Sequence, residues 1–145
     1  MAFTNIASIM DEVASILRAD AALSGVLVEV EGGLPDTGRM PYISIHERGF
    51  ELDTEQSGAG RGPFNLFVDL ELLCYATHPE STDLAYREKT RLVKNVMDVI
   101  HKAGNRTLNS TVVISVVTAG DPINPEREFV YGQRLVLRCT LRDTT

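Results

Sequence analysis

Two segments of the chain alternate between apolar and polar residues with a period of two. In the first, Phe64, Leu66, Val68, Leu70, Leu72, Cys74 and Ala76 share one phase, and Asn65, Asp69, Glu71 and Tyr75 fall on the other. In the second, Leu135, Leu137, Cys139 and Leu141 alternate with Arg134, Val136, Arg138, Thr140 and Arg142. Strand side chains point alternately to opposite faces, so each segment predicts a strand with one buried and one wet face. The wet phase is acidic in the first segment and basic in the second.

Helical spacing appears twice. Ile6, Ile9, Met10, Val13, Ile16 and Leu17 recur at intervals of three and four, with Thr4 or Asn5 available as a cap. This helix should end around Arg18–Ala22. A second runs from Ser81 or Thr82 to Lys102, with Leu84, Ala85, Leu92, Val93, Val96, Met97 and Ile100 as its stripe and Gly104 as its stop. Between them lie a short strand at Val26–Glu31, a turn-rich Gly32–Gly38 loop, and a strand at Pro41–Glu47. Thr111–Thr118 and Phe129–Arg142 supply the last two strands, joined by a turn-rich link from Gly120 to Glu128. The order α-β-β-β-α-β-β predicts an α+β fold: an antiparallel-rich sheet of about five strands with two amphipathic helices packed on one face.

At 145 residues and 43% hydrophobic, the chain predicts a single domain, residues 1–145, with one core. Residues 51–63 form a flexible connector in this reading, long for a hairpin and rich in glycine. Its Gly58-Ala59-Gly60-Arg61-Gly62 run opens a strand rather than a helix, and Pro63 follows directly, so it does not match a phosphate cradle. The net charge of −6 disfavours general nucleic-acid binding. No apolar run reaches the roughly 18–20 residues of a membrane span, and the start lacks a signal-peptide pattern. A soluble protein made in a cytoplasm is expected.

Candidate chemistry is sparse. Cys74 and Cys139 lie on the apolar phase and read as buried thiols, while His46, His78 and His101 are too scattered to complete a metal site. Neither a metal nor any other cofactor is expected. Asp69 and Glu71 share a strand face as an acid/base pair would, but carboxylates opposite arginines are usually held ionised and structural. The motifs of hydrolases, metalloproteases and P-loop enzymes do not occur, and the expectation is no enzyme.

The second face of the sheet is more informative. Glu29, Glu31, Ser44, His46, Arg48, Asp69, Glu71, Arg134, Arg138 and Arg142 should populate it, either as solvated cross-strand pairs or as part of an interface. Phe67, Leu73, Tyr75, Val113, Val117, Val130 and Val136 break its polar phase. The strand at Phe64–Ala76 also exceeds the usual five or so residues. Part of this face, or a projecting strand end, is therefore expected to meet a partner. The candidate interface residues are Asp53, Glu55, Arg61, Asp69, Glu71, Arg134, Arg138 and Arg142.

Taken in order, these features resemble the tail terminator, or tail-completion, proteins of long-tailed bacteriophages. The resemblance covers nearly the whole chain. It rests on the opening helix ending Ile16-Leu17-Arg18-Ala19-Asp20-Ala21-Ala22-Leu23, and on Met40-Pro41-Tyr42-Ile43-Ser44-Ile45 after a glycine-rich loop. It rests also on the variable loop before Phe64-Asn65-Leu66-Phe67-Val68-Asp69-Leu70-Glu71, the amphipathic helix that follows, and the closing Gln133-Arg134-Leu135-Val136-Leu137-Arg138. The resemblance implies a virion protein assembled in the host cytoplasm that forms a hexameric ring on the last ring of the tail tube. Such a ring stops tube polymerisation and presents the surface that joins the neck or head. Its partners are then further copies of itself, the major tail-tube protein and a neck or head-completion protein, with DNA passing through the lumen without specific binding and no membrane involved. A neck protein and a tail-tube subunit are the alternatives, followed by a small enzyme or cytosolic binding module.

Overall fold

The structure is a computed structural model that describes residues 6–34, 36–53, 64–102, 107–108, 112–123 and 129–143. Helix α1 spans Ile6–Ala19, and a 3-10 turn follows at Ala21–Leu23, where the Asp20 side chain accepts from the Ala22 amide. The strands are β1, Leu27–Val30; β2, Tyr42–Asp53; β3, Phe64–Thr77; β4, Thr107–Leu108; β5, Val112–Ile123; and β6, Val130–Asp143. Helix α2, Thr82–Ile100, is capped by Ser81, whose hydroxyl accepts from the Leu84 amide. The expected α+β architecture and element order are present, with the two-residue β4 as an addition.

The strands form one sheet in the order β1-β2-β3-β6-β5-β4. All neighbours are antiparallel except β1 and β2, which are parallel. Both helices bury their stripes on one sheet face. Ile9, Val13 and Leu17 of α1 and Leu92, Val96 and Ile100 of α2 join Val28, Ile43, Ile45, Val68, Leu70, Leu72, Cys74, Leu135, Leu137 and Cys139 in a continuous core. The two cysteines are free and buried, and burial pushes both thiols up to about 12. They act as small apolar groups. The expected stripe of α2 holds apart from Leu84, which is 41% exposed.

Several element bounds differ from the sequence reading. Glu51–Asp53 belongs to β2 rather than to the connector, and β5 runs on through Gly120 to Ile123. The caps expected at Thr4 and Asn5, and the stop at Gly104, lie outside the described residues. Strand β2 gains its length through a bulge between Glu47 and Gly49, where Arg48 is the extra residue and Gly49 has φ +152°. Before the bulge, Ile43 and Ile45 pair with Cys74 and Leu72; after it, Phe50 pairs with Val68 and Leu52 with Leu66. The extra residue reverses the phase, so Phe50 continues the apolar side and Glu51 moves to the charged side.

Strand and helix lengths do not match. The 14 residues of β3 span about 46 Å, at about 3.3 Å each, while the 19 of α2 span only about 28 Å. Because α2 begins just past the Thr77 end, the helical layer reaches down to Val68 and stops. The other end of the sheet, from Phe50 to Asp53 and Phe64 to Phe67, projects past it. Val68 is fully buried, and its partner Phe50 is 63% exposed.

Candidate functional site

The face of the sheet away from the helices holds most of the sequence-predicted interface residues. The β3–β6 register sets Asp69 opposite Arg138, and Asn65 opposite Arg142. Arg138 donates Nε and Nη2 to the two Asp69 oxygens at 2.9 and 3.1 Å, a bidentate pair. Glu51 stands 3.9 Å from the same guanidinium, which also lies 5.3 Å from the centre of the Phe67 ring. Glu71 is shared between Arg134 at 3.6 Å and Arg48 at 3.9 Å. The opposed charges of the two strands thus pair within the sheet.

The electrostatics follow from this geometry. Hydrogen bonds from Arg138 hold the Asp69 carboxyl below its ordinary range, against the opposing effect of burial, and the same bonds raise Arg138. Such half-exposed pairs contribute little to stability, about 0–1 kcal/mol each. Their larger effect is to leave this part of the face nearly neutral and fixed in register. Asp53 ends β2 opposite Asn65, while Glu55 and Arg61 lie outside the described residues. Four of the eight candidates, Asp69, Glu71, Arg134 and Arg138, therefore form one described cluster.

Near β1 part of the same face is covered. Ser44, expected on the solvated side, is 1% exposed, and Tyr42 is fully buried. The chain after β1 turns back over them. Gly32 N donates to Ser44 Oγ at 2.9 Å, and Ser44 Oγ lies 3.0 Å from Gly32 O, to which it can donate. Glu31 adopts φ +56° at the turn, and its carboxylate accepts from the Glu47 amide at 3.1 Å and faces His46 Nδ1 at 3.0 Å. The Glu47 amide is the main reason the Glu31 carboxyl is lowered. A Cβ at Gly32 would sit 1.8 Å from Tyr42 Oη, so only glycine permits this approach. Burial raises the Tyr42 and Tyr75 hydroxyls, and their rings stack with centroids 6.5 Å apart.

Ser44 Oγ lies 2.7 Å from His46 Nε2, which completes a Ser–His–Glu chain with the spacing of a nucleophile, base and orienting acid. Here it works as a latch. The hydroxyl is buried under Gly32 and engaged by both backbone polar atoms of that residue, so a substrate carbonyl has no approach to it. The spacing Glu31…Ser44-Ile45-His46 was the available sequence signal. It was hidden because all three residues were assigned to a solvated face.

No protein-family model matches the chain, and no curated protein matches it in sequence. Its fold is similar to that of a chain in the virion of a native gene transfer agent (GTA) particle, with a TM-score of 0.59 and 13% sequence identity. The alignment spans 97% of this chain and 100% of that one. The likeness is one of fold. At this identity it assigns no role to any residue.

Proposed function

We propose that this protein is a structural component of a phage-like virion, and that it forms a ring capping the head-proximal end of the tail tube. The observation that carries the reading is the end-to-end match in fold to a chain of a gene transfer agent virion. That match supports a virion component, and the capping role is taken from the resemblance to tail terminators drawn from the order of sequence features. In this role the ring ends tube polymerisation and offers its far surface to the neck or head.

The topology supplies suitable means of association. Strand β1 covers β2 only as far as Ile45, and β4 covers β5 only at Val112 and Val113. Among the described strands, the outer edges of β2 beyond Ile45 and of β5 beyond Val113 pair with no other strand, although the Glu47 amide of β2 is taken by the Glu31 carboxylate. They lie on opposite sides of one sheet and run antiparallel to each other. Heterologous pairing of one edge with the other in the next copy can close a ring. The projecting end, with Phe50 exposed and Glu51 beside Arg138, presents a mixed apolar and charged rim suited to the tube below.

Electron microscopy of lysates from a virus lacking this gene tests the proposal. Overlong tails without heads are the expected result. Tails of normal length refute the capping role, and normal tails detached from filled heads would indicate a neck protein instead. A tail-tube subunit would be revealed by long tubes growing from the pure protein.

A further inference from the structure

Helix α2 carries one side chain that folding alone does not account for. Lys89 keeps only 5% of its surface exposed. Its ammonium donates to Gln133 Oε1 at 3.1 Å and lies 4.6 Å from the centre of the Tyr86 ring. Among the described residues no carboxylate pairs with it, and burial lowers its proton affinity without an opposing charge. A buried cation held by one neutral acceptor and a ring face is a net cost to the folded chain. Two exposed apolar groups stand beside it on α2: Tyr86, 48% exposed and edge-on to Tyr131 at 5.6 Å, and Leu84.

The position of this flank is specific. Tyr131 and Gln133 belong to β6, so the flank faces the β6–β5 side of the molecule. Helix α1 lies at the opposite side of the helical layer, against β1 and β2. Its charge is complementary: Asp11 is exposed mid-helix, and the one base of α1, Arg18, is drawn to the Val28 carbonyl at 2.7 Å. On helix α2, Arg87, Arg91 and Lys94 are each paired with a carboxylate of the same helix, Asp83, Glu88 and Asp98, which leaves Lys89 as the α2 base with no carboxylate partner among the described residues. An exposed carboxylate at one side of the layer and, at the other, a cation with aromatic neighbours and no carboxylate partner among the described residues make a head-to-tail pair of patches.

We propose that Lys89 and Tyr86 of one copy receive the acidic flank of α1, around Asp11, of the next copy in the ring. The contact rests on the ring reading and deepens it, because it joins adjacent helical layers on one face of the continuous sheet. A carboxylate arriving at Lys89 supplies the counter-charge that the described residues do not give it, and Tyr86 and Leu84 are covered at the same time.

The test pairs stability with association. Lys89→Met keeps the stem and removes the charge. It is expected to melt at or above the wild-type temperature and to weaken self-association, measured by analytical ultracentrifugation, at least tenfold; Asp11→Lys should weaken it similarly. A Lys89→Met chain that melts lower yet associates normally shows a purely structural lysine and overturns the proposal. As a readout independent of folding effects, Tyr86→Cys and Asp11→Cys chains are mixed with a mild oxidant. A disulfide-linked dimer should form in the mixture and not in either chain alone, since Cys74 and Cys139 are buried. Failure of the mixture to link, while wild type associates, overturns this contact and leaves the ring intact. A wild type that stays monomeric at every concentration also overturns the contact, and leaves capping to be judged by the gene-deletion tails.

Discussion

The two ends of the sheet are made of the same strands and do different work. At the Thr77 end, β3 and its neighbours are covered twice, by the helices on one face and by the Glu31–Gly32 turn on the other. Tyr42, Ser44, Leu72 and Cys74 are all buried there. At the Asp53 end the helical layer has run out, and Phe50 stands exposed across from a buried Val68. On the helical face the difference comes from length: a strand advances more than twice as far per residue as a helix, so strands of 12 to 14 residues outreach a 19-residue helix. The covered end holds the fold, and the projecting end leaves Phe50 uncovered.

This contrast can be broken at defined points. Leu72→Ala, in the covered half, should lower stability by about 2–5 kcal/mol, seen in the denaturant midpoint, with assembly lost as a consequence of unfolding. Gly32→Ala should be next, at about 1–3 kcal/mol, because the new Cβ meets the Tyr42 hydroxyl. An unchanged midpoint would show that the turn is not seated on Tyr42. Asp69→Asn should cost less than about 1 kcal/mol at neutral pH. Its signature lies in acid. A carboxyl lowered in the folded state contributes stability above its unfolded value of about 4, and loses that contribution as pH falls through the lower folded value. The variant should therefore unfold with a flatter pH dependence below about pH 4. Phe50→Ser should change stability least, within about 0.5 kcal/mol, yet impair attachment to the tube. Equal attachment by this variant would remove the projecting end from the binding surface.

Much of the fold was legible because it is written in periodicity. The two-residue alternation of Phe64–Ala76 and Leu135–Leu141 returned as β3 and β6 in direct register, and the stripes of both helices returned as core. Bounds were less legible where the period changed. The bulge at Arg48 shifts β2 by one phase, so residues 51–53 read as a polar connector although they continue the strand. The outer face was half legible. Cross-strand pairing of Asp69 with Arg138, and of Glu71 with Arg134, follows from the opposite charges of the two strands, but whether those charges pair with each other or with a neighbour depends on adjacency. Ser44 and Lys89 were not legible at all. One is polar on an outward phase and buried by a backbone turn; the other is a lysine in an amphipathic helix and buried against a glutamine. In both cases tertiary placement decides, and residue type points the other way.

The most direct test of capping is to add the purified protein to polymerising tail-tube subunits and measure tube length by electron microscopy. The account requires that growth stop as the protein is added, with density at one end of each tube and shorter tubes at higher ratios. Tubes that grow to the same length, with the protein spread along them or absent, would contradict it.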